Sequence, residues 1–262
     1  MSKKIIIGNW KMNPLSPKQA ENLFRSILKA IPYKLKANVI ICPPAIYLGF
    51  LKTKNYKLKV NLGAQDAFYE ESGAYTGEIS AEMLYHIGAR YVILGHSERR
   101  SPPSAPSGGG EGESNLIINK KVRASLSAGL VPILCVGEKE RDESHQYLNF
   151  IKKQIEECLK GVIKSSVSKI IIAYEPIWAI GKNAQRAAVP KEFLEMSIFI
   201  KKVLSDKFGA KAVEKTKIIY GGSVNPKNTA DFLMEGETDG FLVGRDSLDP
   251  KKFREIIKIC EA

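Results

Sequence analysis

Three side chains, far apart along this 262-residue chain, would be enough to move a proton next to a carbonyl if folding brought them together: Lys11, His96 and Glu175. A carboxylate can remove a carbon-bound proton. An imidazole and an ammonium can stabilise the negative charge that then develops on oxygen. Asn9 and Glu98 stand two residues from Lys11 and His96 and add a hydrogen-bonding amide and a second carboxylate. Singly, each has a bland reading, since a lone lysine is usually a surface charge and a lone histidine usually structural. Their shared context carries the argument, because each lies at or just beyond the end of a short apolar run.

Eight such runs recur, at residues 5–7, 39–42, 60–64, 91–94, 131–136, 170–174, 217–220 and 241–243. They are near-continuously apolar rather than alternating, the pattern of strands buried on both faces of a parallel sheet. Helical stripes follow them. Ala20, Leu23, Phe24, Ile27, Leu28 and Ile31 keep helical spacing, with Ser16 placed to cap and Pro17 at the first helical position. Ile151, Ile155 and Leu159 form a second face, and Phe193, Met196, Ile200, Val203 and Leu204 a third. Strands alternating with helices at intervals of about 30 residues predict an α/β fold. An open, doubly wound sheet is the structural rival. Eight units within the length of one domain favour a closed, eight-stranded parallel (β/α)₈ barrel over residues 1–262.

Such barrels hold their active sites at the C-terminal ends of the strands. Polar and charged residues gather there after five of the runs: Gly8-Asn9-Trp10-Lys11, Gly95-His96-Ser97-Glu98-Arg99-Arg100, Tyr174-Glu175-Pro176, Gly221-Gly222-Ser223-Val224 and Gly244-Arg245-Asp246. Glycines after runs six, seven and eight let backbone N–H groups approach an anion. Gly221-Gly222 alone would read as a tight turn, but with Ser223 and the neighbouring Gly244 a phosphate site is the better reading.

The chain carries a net charge of +12 and is 44 % apolar. Its lysines are scattered, without a basic block or interleaved aromatics, which argues against a nucleic-acid partner. Four cysteines lie far apart with no Cys-x-x-Cys, and the three histidines are not at metal-ligand spacing. Cys135 and Cys260 read as small buried hydrophobes. Neither metal nor organic cofactor is expected. Met1-Ser2-Lys3-Lys4 leads straight into the first run, so no signal peptide is expected, and no run approaches the ~20 residues of a membrane span. Residues 101–111 are rich in Pro, Ser and Gly and read as a flexible insertion within one barrel domain.

The motifs above, with Gly63-Ala64-Gln65-Asp66, Gly77-Glu78-Ile79-Ser80, Cys135-Val136-Gly137-Glu138 and Ile177-Trp178-Ala179-Ile180-Gly181, resemble the triosephosphate isomerase family over nearly the whole chain. The resemblance implies a TIM barrel and a cytoplasmic, cofactor-independent isomerase of glycolysis and gluconeogenesis. Glu175 would be the base, His96 the electrophile and Lys11 the partner of the enediolate. Asn9 would position substrate, with Glu98 and Ser97 in support. Amides at Gly181, Ser223, Gly244 and Arg245 would hold the phosphate, and residues 175–190 would form a mobile lid with Pro176 stiffening its first hinge. A homodimer through the loop at 65–77, with Thr76 reaching the other subunit's site, is also implied.

The chain departs from the family pattern in the insertion after Arg100, in a longer lid tip, and in Arg245 where the family has a second glycine. Two rival functions are weighed. A sugar-phosphate aldolase would want a lysine at a mid-barrel strand end, whereas the strand-end lysine here is Lys11 on the first. A nucleic-acid-binding scaffold would not require Glu175.

Overall fold

The structure is a computed structural model that describes residues 3–32, 35–54, 60–100, 112–180, 184 and 186–261. The insertion at 101–111 and most of the lid tip, including Gly181, lie outside the described residues.

Eight parallel strands close in sequence order: β1 (Ile5–Asn9), β2 (Asn38–Cys42), β3 (Asn61–Ala64), β4 (Tyr91–Leu94), β5 (Val131–Val136), β6 (Ile171–Tyr174), β7 (Lys217–Tyr220) and β8 (Gly240–Val243). Closure comes from β1 pairing with both β2 and β8, with Ile6 opposite Val39 on one side and Phe241 on the other. Each strand sits within two residues of its apolar run. In β1 and β2 the ladder also takes in the polar Asn9 and Asn38, while β3 and β6 begin one residue after the buried Val60 and Ile170.

The continuous apolarity has a simple cause, because alternate side chains face two different cores. Ile5, Ile7, Ile40, Cys42, Ile93, Ile133, Cys135, Ile171, Ala173, Ile219 and Leu242 fill the barrel interior. Their neighbours, among them Ile6, Val39, Ile41, Val92, Leu94 and Leu134, face the surrounding helices. A strand covered on both faces needs apolar residues at odd and even positions alike.

The helices follow from local signals. Pro17–Ala30 begins where Ser16 Oγ accepts the Gln19 amide at 3.3 Å, and Ala20, Phe24 and Ile27 form its buried face. Gln146–Cys158 buries Ile151 and Ile155, and Leu159 lies one residue past its end while still buried. Pro190–Phe208 buries the expected Phe193, Met196, Ile200, Val203 and Leu204. Cys135 is buried in β5, but Cys260 is only partly so, because it falls in the last turn of Pro250–Glu261, at the rim of the helical layer. All four cysteines are free thiols.

Candidate active site

At the C-terminal mouth of the barrel lies a cavity of about 510 Å³. Its wall includes Asn9 and Lys11 from β1, His96 and Ser97 from β4, Glu175 from β6, Gly221, Gly222 and Ser223 from β7, and Gly244 and Arg245 from β8. The structure thus brings together the expected site residues that it describes, apart from Glu98. That residue stands just behind, in an adjoining cavity of about 190 Å³ with Asn9, Lys11, Gln65, His96 and Arg99.

Lys11 is presented on a backbone that costs energy. Its φ is +52°, a left-handed value rare for a residue with a Cβ. Two side chains hold it there: Asn9 Oδ1 accepts the Lys11 amide at 3.0 Å, and Gln65 Nε2 donates to the Lys11 carbonyl at 2.8 Å and to Cys42 O at 2.9 Å. Gln65 thereby ties the ends of β1 and β2 to the loop after β3, a role that sequence reasoning missed. Its place in the strand-end position of β3 was the available signal. The Lys11 ammonium donates to Glu98 Oε1 at 2.5 Å.

His96 sits between Gly95, at φ +67°, and the one-turn helix Ser97–Arg100. Gly95 permits the sharp exit from β4, since a side chain there would carry the strain of a left-handed backbone and crowd Arg100 and Ile118. His96 Nδ1 accepts the Glu98 amide at 3.2 Å, so in the neutral ring the proton lies on Nε2. Nε2 stands 3.3 Å from Glu175 Oε1.

Glu175 follows β6 directly, with its backbone amide bonded to Val136 O at 2.8 Å. The residue is 2 % exposed. One carboxylate oxygen accepts the Ser97 amide at 2.9 Å, and the other faces His96. Gly221 borders the same carboxylate closely, since a Cβ there would come within 2.9 Å of Glu175 Cγ. Beneath it lies Cys135, whose thiol burial pushes well up, with the Glu175 charge acting in the same direction, so it stays protonated.

Glu138, on the loop after β5, is a second buried carboxylate, 1 % exposed. Its Oε1 accepts the Tyr174 hydroxyl at 2.7 Å, the Trp178 indole N–H at 2.8 Å and Arg141 Nε at 3.2 Å. Burial and then the adjacent Glu138 charge push the Tyr174 phenol well above its usual range, so it remains a donor. This cluster anchors Trp178 at the root of the segment after Glu175. The sequence motifs contain Glu138 and Trp178, but nothing in their spacing reveals that they touch.

The β7 and β8 ends supply the amide rim. Ser223 Oγ donates to Ala179 O at 3.2 Å. Arg245 opens the 3₁₀ turn Arg245–Leu248, whose first N–H groups have no partner within the turn. Among the described residues no group of three or more His, Cys, Asp or Glu could hold a metal ion, and no helix is long and apolar enough to cross a membrane.

A closed (β/α)₈ barrel with a carboxylate, an imidazole and an ammonium at its mouth, facing a rim of strand-end glycines, defines the class of phosphate-binding barrel enzymes equipped for acid–base chemistry. The family model for triosephosphate isomerase matches residues 4–260, and the chain belongs to the triosephosphate isomerase family. A triosephosphate isomerase of Dictyoglomus thermophilum is 41 % identical over 98 % of this chain and 100 % of its own length. One from Dehalococcoides mccartyi is 44 % identical over 99 % of this chain and 97 % of its own. The crystal structure of triosephosphate isomerase from Bartonella henselae superposes with a TM-score of 0.82 at 34 % identity, covering 98 % of both chains.

Proposed function

We propose that this chain interconverts dihydroxyacetone phosphate and D-glyceraldehyde 3-phosphate by proton transfer through an enediolate, without a cofactor. The observation that carries this reading is the 3.3 Å approach of Glu175 Oε1 to His96 Nε2 inside a cavity shared with Lys11 and the β7 and β8 ends. With substrate bound, the Glu175 carboxylate takes the proton from the carbon next to the carbonyl. The C–H electrons form the enediolate double bond, and the carbonyl electrons move onto oxygen. His96 Nε2–H and the Lys11 ammonium, steered by Glu98, stabilise that oxygen, and Asn9 orients it. Glu175 then returns the proton to the neighbouring carbon, while the hydroxyl proton on the first carbon passes, by way of His96 Nε2, to the enediolate oxygen on the second. The first carbon becomes the carbonyl, one carbon is oxidised as the other is reduced, and no outside oxidant or proton is consumed. The phosphate belongs at the amides of Ser223, Gly244 and Arg245, with Gly181 completing the set on the lid. Closure of the lid would exclude water and protect the enediolate from losing phosphate.

The wider setting follows from the family: a cytoplasmic role in glycolysis and gluconeogenesis, with residues 1–262 as one barrel domain interrupted by the insertion at 101–111. A homodimer is part of the proposal. Met12 (88 % exposed) stands beside Gln65 and Asp66 at the start of the loop at 65–77, and Tyr75 within it is also exposed, so both are apolar side chains available to a partner. The cavity beside Lys11 and Glu98 would receive Thr76 of the partner subunit.

A coupled assay with glyceraldehyde 3-phosphate tests the activity. Turnover by the wild-type chain that falls by orders of magnitude in Glu175→Gln is the expected result, and no turnover by the wild type would sink the reading. Sedimentation of the intact chain, and of one with 101–111 shortened, tests the assembly. A monomer at micromolar concentration in both would remove the homodimer.

A further inference from the structure

The charges lining the substrate cavity are almost all spoken for. Lys11 is engaged by Glu98 at 2.5 Å, and Asp246 accepts from Lys252 at 3.3 Å. Glu175 takes the Ser97 amide and lies against His96. Arg245 differs. It lines the cavity, its side chain is exposed, and among the described residues its guanidinium has neither an ion-pair partner nor a hydrogen-bond partner. It stands directly after Gly244, whose Cα lies close enough to the Lys11 stem that a Cβ there would sit 3.5 Å from Lys11 Cε. An exposed residue of the cavity wall thus carries an unpaired guanidinium, with five N–H donors in a planar fork, beside strand ends that offer only amides.

We infer that the Arg245 side chain, and not only its backbone N–H, is a substrate-positioning group: its guanidinium engages the phosphate dianion from the solvent side. This rests on the reading of the cavity as a phosphate-monoester site. A glycine at this position offers an amide alone. Arginine adds a full positive charge that can hold phosphate oxygens in a bidentate manner. Because the side chain has no competing carboxylate, it pays no exchange of partners when the anion arrives. Because it is exposed, its attraction is screened by salt. The phosphate group of either triose, or free inorganic phosphate, offers the same chemistry, so all three should feel this residue. The enediolate end of the substrate should not.

The test compares the full-length wild type with R245Q and R245K, both of which keep the backbone N–H. Inorganic phosphate is titrated calorimetrically, and KM and kcat are measured for glyceraldehyde 3-phosphate. R245Q should weaken phosphate binding and raise KM about three- to tenfold, with KM changing more than kcat. R245K should recover part of the loss, and the gap between wild type and R245Q should narrow as ionic strength rises. An unchanged Kd for phosphate in R245Q overturns the inference, as does a gap independent of salt. The melting temperature, expected to match the wild type because the guanidinium has no hydrogen-bond or ion-pair partner among the described residues, separates a binding effect from misfolding. Equal phosphate binding in two active proteins refutes only this role. A wild type that binds phosphate through Arg245 yet isomerises nothing refutes only the proposed activity.

Discussion

Glu138 and Glu175 are both almost wholly buried, both lie just beyond neighbouring strands of one barrel, and they have opposite surroundings. Glu138 is clasped on one oxygen by three side-chain donors from Tyr174, Trp178 and Arg141, and it does not line the cavity. Glu175 receives a single backbone amide on one oxygen, and its other oxygen looks into the cavity toward His96. Burial alone therefore does not mark a base. What separates the two is what each carboxylate faces: Glu138 Oε1 is held by three donors that fix a loop and its Oε2 is buried without a partner, whereas the second oxygen of Glu175 faces a space the size of a small substrate. A carboxylate in the first setting is an anchor, and one in the second is available for proton transfer.

The sharpest way to break this contrast is to move the Glu175 carboxylate without removing it. Glu175→Asp draws it back by one methylene, and turnover should fall by about 100-fold or more with a modest change in substrate affinity. Glu175→Gln should cost more, on the order of 10²–10⁴-fold in kcat, while leaving stability in urea equal to the wild type or above it. Turnover unchanged in either variant would remove Glu175 from the chemistry.

Glu138→Gln should show the reverse profile. Removing the charge leaves Arg141 without its nearer carboxylate and weakens the grip on Tyr174 and Trp178. A stability loss of about 3 kcal/mol is expected in urea unfolding. Turnover should drop, through the loosened Trp178, by less than in Glu175→Gln. If the two variants lost stability equally, the division into anchor and base would be wrong.

Only half of this contrast can be read from the sequence. The barrel is legible because strands buried on both faces must be apolar at every position, and eight such runs leave little freedom. The site is legible because topology places every strand end at the same mouth, so Lys11, His96 and Glu175 meet by construction. The clasp around Glu138 is not legible. Tyr174 and Trp178 lie 36 and 40 residues from it, and only coordinates reveal that one oxygen takes both. Nor is Gln65 legible as the brace of Lys11, 54 residues away, because the left-handed backbone it supports leaves no trace in residue type. Cys260 shows a smaller failure: helical periodicity continues the apolar stripe to the last turn, whereas the layer covering it ends sooner.

A third carboxylate sharpens the comparison with the smallest expected effect. Asp142, partly exposed, is held by the Ser144 hydroxyl at 2.5 Å and by the amides of Gln146 and Tyr147 at 2.9 and 3.0 Å, which open the helix Gln146–Cys158. The Ser144 hydrogen bond first, and then the amide of Gln146, lower its pKa from 3.8 to about 2. A carboxyl depressed in the folded state adds stability above its unfolded pKa and loses it as pH falls through the folded value. The difference in stability between wild type and Asp142→Asn should therefore be full above pH about 4 and close as pH approaches about 2. Urea unfolding across that range measures it. Asp142 has both oxygens turned onto donors of the fold and, like Glu138, does not line the cavity, so turnover at neutral pH should follow the folded fraction alone. A gap that persists unchanged to pH 2 would mean that the capping oxygen matters here and its charge does not.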